Sequence, residues 1–71
     1  MENPRQIQRE EIKIGRRVVI ISMIEYKPGW YETIAMNRNG KEFALLRSDS
    51  LEKSKAFFDE QARKYKAEIS L

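Results

Sequence analysis

This 71-residue sequence predicts an α+β domain: a three-stranded antiparallel sheet with one C-terminal helix packed on one face. Three observations carry the prediction. Two apolar runs flank Asn39-Gly40 in the stretch Trp30 to Arg47, which is the pattern of a hairpin. Arg16 to Tyr26 is dense in β-branched residues and reads as a strand rather than a helix. After Asp49, apolar residues recur at spacings of three and four, as on one stripe of a helix.

Taken in order, residues 1–15 are expected to be an N-terminal arm and residues 16–71 a single βββα domain. In the arm, Asn3-Pro4 resembles a helix start, with Asn3 as cap and Pro4 at the first helical position. Ile7, Ile12 and Ile14 break helical spacing, however, and Ile12-Lys13-Ile14 alternates like a strand. The arm is therefore expected to be loose, a short helix or an extra strand, becoming extended near Ile12, with Gly15 at a bend or bulge.

The Arg16–Tyr26 run is apolar on both sides, with Val19, Ile21 and Met23 on one and Val18, Ile20, Ile24 and Tyr26 on the other. Lys27-Pro28-Gly29 follows. L-Pro-Gly favours a type II turn, whose twist suits a tight hairpin badly, so a wider loop is expected there. Asn39-Gly40 as a two-residue type I′ turn sets Met36 opposite Phe43, Ile34 opposite Leu45 and Glu32 opposite Arg47. Asp49 with Glu52 forms a capping box, and Leu51, Ser54, Phe58, Ala62, Tyr65 and Ile69 form the apolar stripe of the helix. The expected core is Val19, Ile21, Met23, Ile34, Met36, Phe43, Leu45, Leu51, Phe58, Ala62 and Tyr65.

Composition excludes more functions than any motif does. There is no Cys and no His, so disulfides, thiolate nucleophiles, imidazole bases and the usual zinc sites are ruled out. The close carboxylate pairs, Asp49 with Glu52 and Asp59 with Glu60, read as a cap and a solvated helix surface. The glycines are isolated, outside any phosphate-cradling motif. No enzyme activity, cofactor, metal or small-molecule substrate is expected. No apolar run reaches membrane-spanning length, and a cytoplasmic location without membrane contact is expected.

Binding is the expected class. The chain has 14 Lys and Arg against 11 Asp and Glu, a formal net charge of +3, with the excess concentrated before residue 18. A lone helix covers one side of a sheet that is apolar on both. The expected protein interface is Val18, Ile20, Ile24, Tyr26, Tyr31 and Leu46, with Thr33 and Ala35 on the same face. The expected occupant is a second copy, giving a homodimer, or a foreign protein target. Such a small basic chain would suit a phage or mobile-element accessory or inhibitor protein. The competing arrangement has Ile7, Ile12 and Ile14 fold the arm over this face.

Nucleic acid is the alternative partner. Gly29-Trp30-Tyr31, Gly40-Lys41-Glu42-Phe43 and Leu46-Arg47 before the helix resemble the N-terminal arm-binding DNA domains of lambda-type tyrosine integrases, over about a third of the chain. The resemblance implies a three-stranded sheet laid in the major groove. On that likeness Tyr31, Thr33, Arg38, Lys41 and Arg47 on the sheet, with Arg5, Arg9, Arg16 and Arg17 from the arm, would contact DNA. The sequence departs from the pattern in having Val18, Ile20, Ile24, Ala35 and Leu46 where donors and positive charge are needed. Trp30 reads as an interface anchor, a base-stacking platform, or a cap on the core near Tyr65 or Ile69.

Overall fold

The structure, a computed structural model, describes residues 4–69. Four strands, β1 (Arg5–Ile14), β2 (Arg17–Lys27), β3 (Trp30–Asn37) and β4 (Glu42–Ser48), are followed by one helix, α1 (Leu51–Ile69). The sheet is an antiparallel meander in the order β1-β2-β3-β4, and α1 lies across one face in contact with every strand. Asn3, suggested as a helix cap, lies outside the described residues.

The sheet thus has four strands, not three, because most of the arm is an edge strand. Gly15, at φ 61°, turns the chain between Ile14 and Arg17, which pair directly, so the loop has two residues and leaves no slack for an independent arm. Ile12 pairs with Val19 and is buried. Ile7 is out of phase with Ile12 and Ile14 in a simple alternation. A bulge between Gln6 and Gln8 resolves the mismatch and lets Ile7 pack against the core. The arm therefore widens the sheet instead of folding over its open side.

The next two turns also differ from expectation. Lys27 pairs with Trp30 across a two-residue Pro28-Gly29 loop, with Gly29 at φ 79°. The poor fit of this turn to strand twist is absorbed by a bulge at Tyr26, and the Gly29 N–H donates to Glu25 Oε2 at 3.2 Å. At the far hairpin Gly40 has φ 87° but among the described residues no non-glycine residue has positive φ, which excludes a type I′ turn at Asn39-Gly40. Arg38, Asn39 and Gly40 form a three-residue loop instead, closed by Gly40 N–H to the Asn37 carbonyl at 3.0 Å and Asn37 N–H to the Lys41 carbonyl at 2.9 Å. The Asn37 side chain favours this loop, since its Oδ1 accepts from the N–H groups of Asn39 and Lys41, each at 2.9 Å. Met36 then meets Glu42 rather than Phe43, and a bulge at Phe43 recovers the expected pairs Ile34–Leu45 and Glu32–Arg47.

Helix α1 is capped by Ser50 rather than by an Asp49–Glu52 box. Ser50 Oγ accepts from Lys53 N–H at 3.1 Å, which satisfies one of the free donors of the first turn. Buried on the helix are Ser54, Phe58, Gln61, Ala62 and Tyr65, while Leu51 and Ile69, at its two ends, are exposed. Against them pack Ile12, Val19, Ile21, Met23 and Ala35, with Thr33 fully buried beside them.

The core assignment on β3 and β4 is therefore inverted. Ile21 pairs with Ala35 and Met23 with Thr33, so the small side chains of β3 lie under the helix. Ile34, Met36 and Leu45 point the other way. Residues without bulk let the helix approach closely over the central strands, and Phe58, Ile21 and Met23 fill the remaining space.

Candidate binding surfaces

The side of the sheet away from α1 follows from the register. Three rows cross it: Glu11–Ile20–Met36–Glu42, then Arg9–Ser22–Ile34–Leu45, then Gln6–Ile24–Glu32–Arg47. Its middle is apolar, formed by Ile20 and Ile24 of β2, Ile34 and Met36 of β3, and Leu45 of β4, while Val18 of β2 is buried at the end of the sheet. Its borders are charged, with Arg9, Glu11 and Lys13 on β1 and Glu42 and Arg47 on β4. Four of the six residues expected in an interface, Val18, Ile20, Ile24 and Tyr26, are on this side.

Tyr31 and Leu46 are not. They share the helix side with Thr33 and Ala35, because the tight Pro28-Gly29 loop and the Tyr26 bulge fix β3 in the opposite phase to the one expected. Ile34, Met36 and Leu45 take their place, and Leu45 is 46% exposed. The missed signal was the alternation of small residues, Thr33 and Ala35 on β3 and Ala44 on β4, opposite large ones.

One charged pair sits inside this face. Arg47 Nε donates to Glu32 Oε2 at 2.7 Å. The hydrogen bond that Glu32 accepts, and then its charge, raise the Arg47 pKa above its ordinary value, with Tyr26 close enough to add to the effect. The carboxylate in the middle of the apolar rows is thus held by its own counter-ion.

The candidate nucleic-acid contacts divide between distant places. Arg5 is paired with Glu25 at 3.0 Å at the end of the sheet that holds the Pro28-Gly29 turn. Arg9 is paired with Glu11 at 3.2 Å on the open face, and Arg47 is bound to Glu32 as described. Arg16, Arg17, Arg38 and Lys41 converge at the opposite end, where the β1–β2 and β3–β4 turns stand side by side. They line a cleft of about 420 Å³ with Phe43, Asn37 and Asn39, and its lining includes no Asp or Glu. Arg17 is held by Glu68 of α1 at 2.9 Å, whereas Arg16, Arg38 and Lys41 form no ion pair among the described residues. Phe43 is 47% exposed and rests against Tyr65, with ring centroids 6.2 Å apart.

Two residues proposed for DNA contact on the integrase likeness, Tyr31 and Thr33, face the helix, and Thr33 is wholly inaccessible. Trp30 is exposed at the far turn under Lys27, whose Nζ is 5.3 Å from the ring centroid, and so caps neither Tyr65 nor Ile69. Among the described residues no group of three or more Asp or Glu could hold a metal ion, and no helix is long and apolar enough to cross a membrane. No family model, curated protein or solved structure matches the chain.

Proposed function

We propose that this chain is a non-enzymatic protein-interaction module that self-associates through the open face of its sheet. The observation that carries the reading is the uncovered block formed by Ile20, Ile24, Ile34, Met36 and Leu45, with charges only around its border and at the paired Glu32. An apolar centre inside a polar rim is the usual anatomy of an interface. Four strands about 4.8 Å apart and about seven residues long give a footprint of roughly 450 Å². Two such footprints, roughly 900 Å² in total, fall below the range of stable interfaces and make this a weak, concentration-dependent contact.

The charge pattern supports a second copy as the occupant. A two-fold axis running along the Arg9–Ser22–Ile34–Leu45 row sets Ile20 of each copy over Ile24 of the other. The same operation sets Glu42 over the opposite Arg47 on both sides of the axis. The contact is thus self-complementary at the Ile20–Ile24, Ile34 and Leu45 positions and at Glu42–Arg47, while the same axis sets Met36 over Glu32 and Arg9 over Arg9.

Light scattering tests this. A dimeric mass that persists in high salt is expected, and Ile20→Glu should yield a monomer with an unchanged melting transition. Glu42→Arg, which sets like charges face to face at Arg47, should weaken the dimer. A monomeric mass at high micromolar concentration rejects self-association.

Nucleic-acid binding is a second reading, favoured by one observation: Arg16, Arg38 and Lys41 converge with Arg17, which Glu68 holds, in a cleft whose lining includes no Asp or Glu. A sheet laid in the major groove is not favoured, since the open face is apolar at its centre. Contact through the turns at the basic end is. A gel shift that weakens steeply with salt is the expected result.

A further inference from the structure

We infer that the cleft between the β1–β2 and β3–β4 turns is a site for a single nucleic-acid strand, with phosphates on Arg16, Arg38 and Lys41 and a base stacked on Phe43. The inference rests on the nucleic-acid reading above and specifies its ligand. Three features of the cleft define the chemistry.

The first is charge. Four cations, Arg16, Arg17, Arg38 and Lys41, line the cleft with no Asp or Glu in its lining, and Arg16, Arg38 and Lys41 have no ion-pair partner among the described residues, so the potential in the cleft is positive. Two adjacent turns, not one enclosed pocket, carry these cations. That arrangement follows a chain of phosphates better than it encloses one anion.

The second is Phe43. It is the extra residue of the β4 bulge, so it escapes the regular alternation that sends Leu45 to the open face and Ala44 to the helix. Its ring leans on Tyr65 at an interplanar angle of 40° and remains 47% exposed at the lip of the cleft. An aromatic ring braced from behind and flanked by cations is the pairing of stacking platform and electrostatic groove that single strands use. Bases stacked inside a duplex offer no free face to such a ring.

The third is the framework. The Asn37 side chain accepts two backbone N–H groups of the β3–β4 turn and fixes the loop that carries Arg38 and Lys41. Gly15 does the same for Arg16 by admitting a positive φ. The cations are therefore mounted on short, defined turns.

The test is fluorescence anisotropy of the full chain with a labelled single-stranded oligonucleotide, the matching duplex and poly-glutamate. The single strand should bind more tightly than the duplex, and poly-glutamate should compete poorly. The affinity should fall with salt at a slope of about −2, as three phosphate contacts at roughly 0.7 each require. Arg38→Ala and Lys41→Ala should each flatten that slope by about 0.7. Phe43→Ala should weaken binding by roughly 5- to 150-fold with the salt slope unchanged, the signature of a lost stacking contact. Phe43→Tyr, which keeps the ring, should bind like the parent and controls for folding. Equal binding of strand and duplex, insensitive to Phe43→Ala, would overturn the single-strand assignment while leaving nucleic-acid binding intact. Absence of binding to either nucleic acid would overturn both, and preferential capture of poly-glutamate would make the cleft an acidic-peptide site instead.

Discussion

Thr33 and Ala35 have no accessible surface, whereas Ile34 between them faces away from the helix. The larger residue is on the open side because the helix needs room more than it needs bulk at this strand. Substitutions separate the two sides. Ala35→Leu should cost about 1–3 kcal/mol by overpacking, while Ile34→Thr should leave the monomer's stability nearly unchanged. Thermal denaturation with the effects reversed would mean that the strand runs in the other phase. Thr33 makes a second case. Its Oγ1 is buried with no hydrogen-bond partner, as is Oε1 of Gln61. Removing an unpaired hydroxyl without changing shape recovers part of its desolvation penalty, so Thr33→Val should stabilise the fold by about 1 kcal/mol. A lower melting temperature for this variant would show that the hydroxyl is engaged in the native protein.

At the scale of elements, the turns decide which faces the side chains occupy. The expected pairs Ile34–Leu45 and Glu32–Arg47 are present even though the turn that was to produce them is not. The three-residue loop displaces the register by one at Met36, and the Phe43 bulge restores it. Gly40 holds the position of this loop that needs positive φ, and open space surrounds the site of a Cβ there. Gly40→Ala should therefore destabilise through backbone strain alone, by more than about 1 kcal/mol. Denaturant titration showing no loss would place the strain elsewhere. The helix start has a comparable determinant in Ser50: Ser50→Ala should cost about 1 kcal/mol, and Asp49→Ala much less. Both caps were within reach of sequence reading, because Ser50 and Asp49 are adjacent acceptors. Only the course of the chain out of β4 selects between them.

For the whole molecule, the governing fact is a thin core. At roughly 0.05–0.15 kcal/mol per residue, a chain of this length has about 4–11 kcal/mol of stability. Phe58, 1% exposed, is among the largest wholly buried side chains, and Phe58→Ala should remove about 3–5 kcal/mol of it. Loss of a cooperative transition in circular dichroism is the expected outcome near 37 °C. The four-strand sheet matters here as well. Strand β1 contributes Ile12 to the core and the Lys66–Glu10 contact at 2.6 Å to α1, so its removal would strip one whole side of the helix seat. The candidate surfaces are properties of this scale too. Ile20 and Ile24 were legible as a surplus of apolar residues on β2, but Leu45 and Met36 join them only once β3 and β4 are placed. Arg16 and Lys41 are 25 residues apart in sequence and become neighbours because a meander returns alternate turns to the same end.

The sequence by itself determined the α+β class, the β2 and β3–β4 strands, the helix with its Phe58, Ala62 and Tyr65 stripe, and the absence of thiol and imidazole chemistry. These depend on local periodicity and residue type, which short windows contain in full. Tertiary structure alone decided that the arm becomes a fourth strand, which side of β3 the helix covers, and that Arg16, Arg17, Arg38 and Lys41 meet in one cleft. Each of those outcomes depends on how bulges and turn geometry divide the strain among neighbouring strands, an energy that is shared across the sheet and belongs to no single stretch of chain.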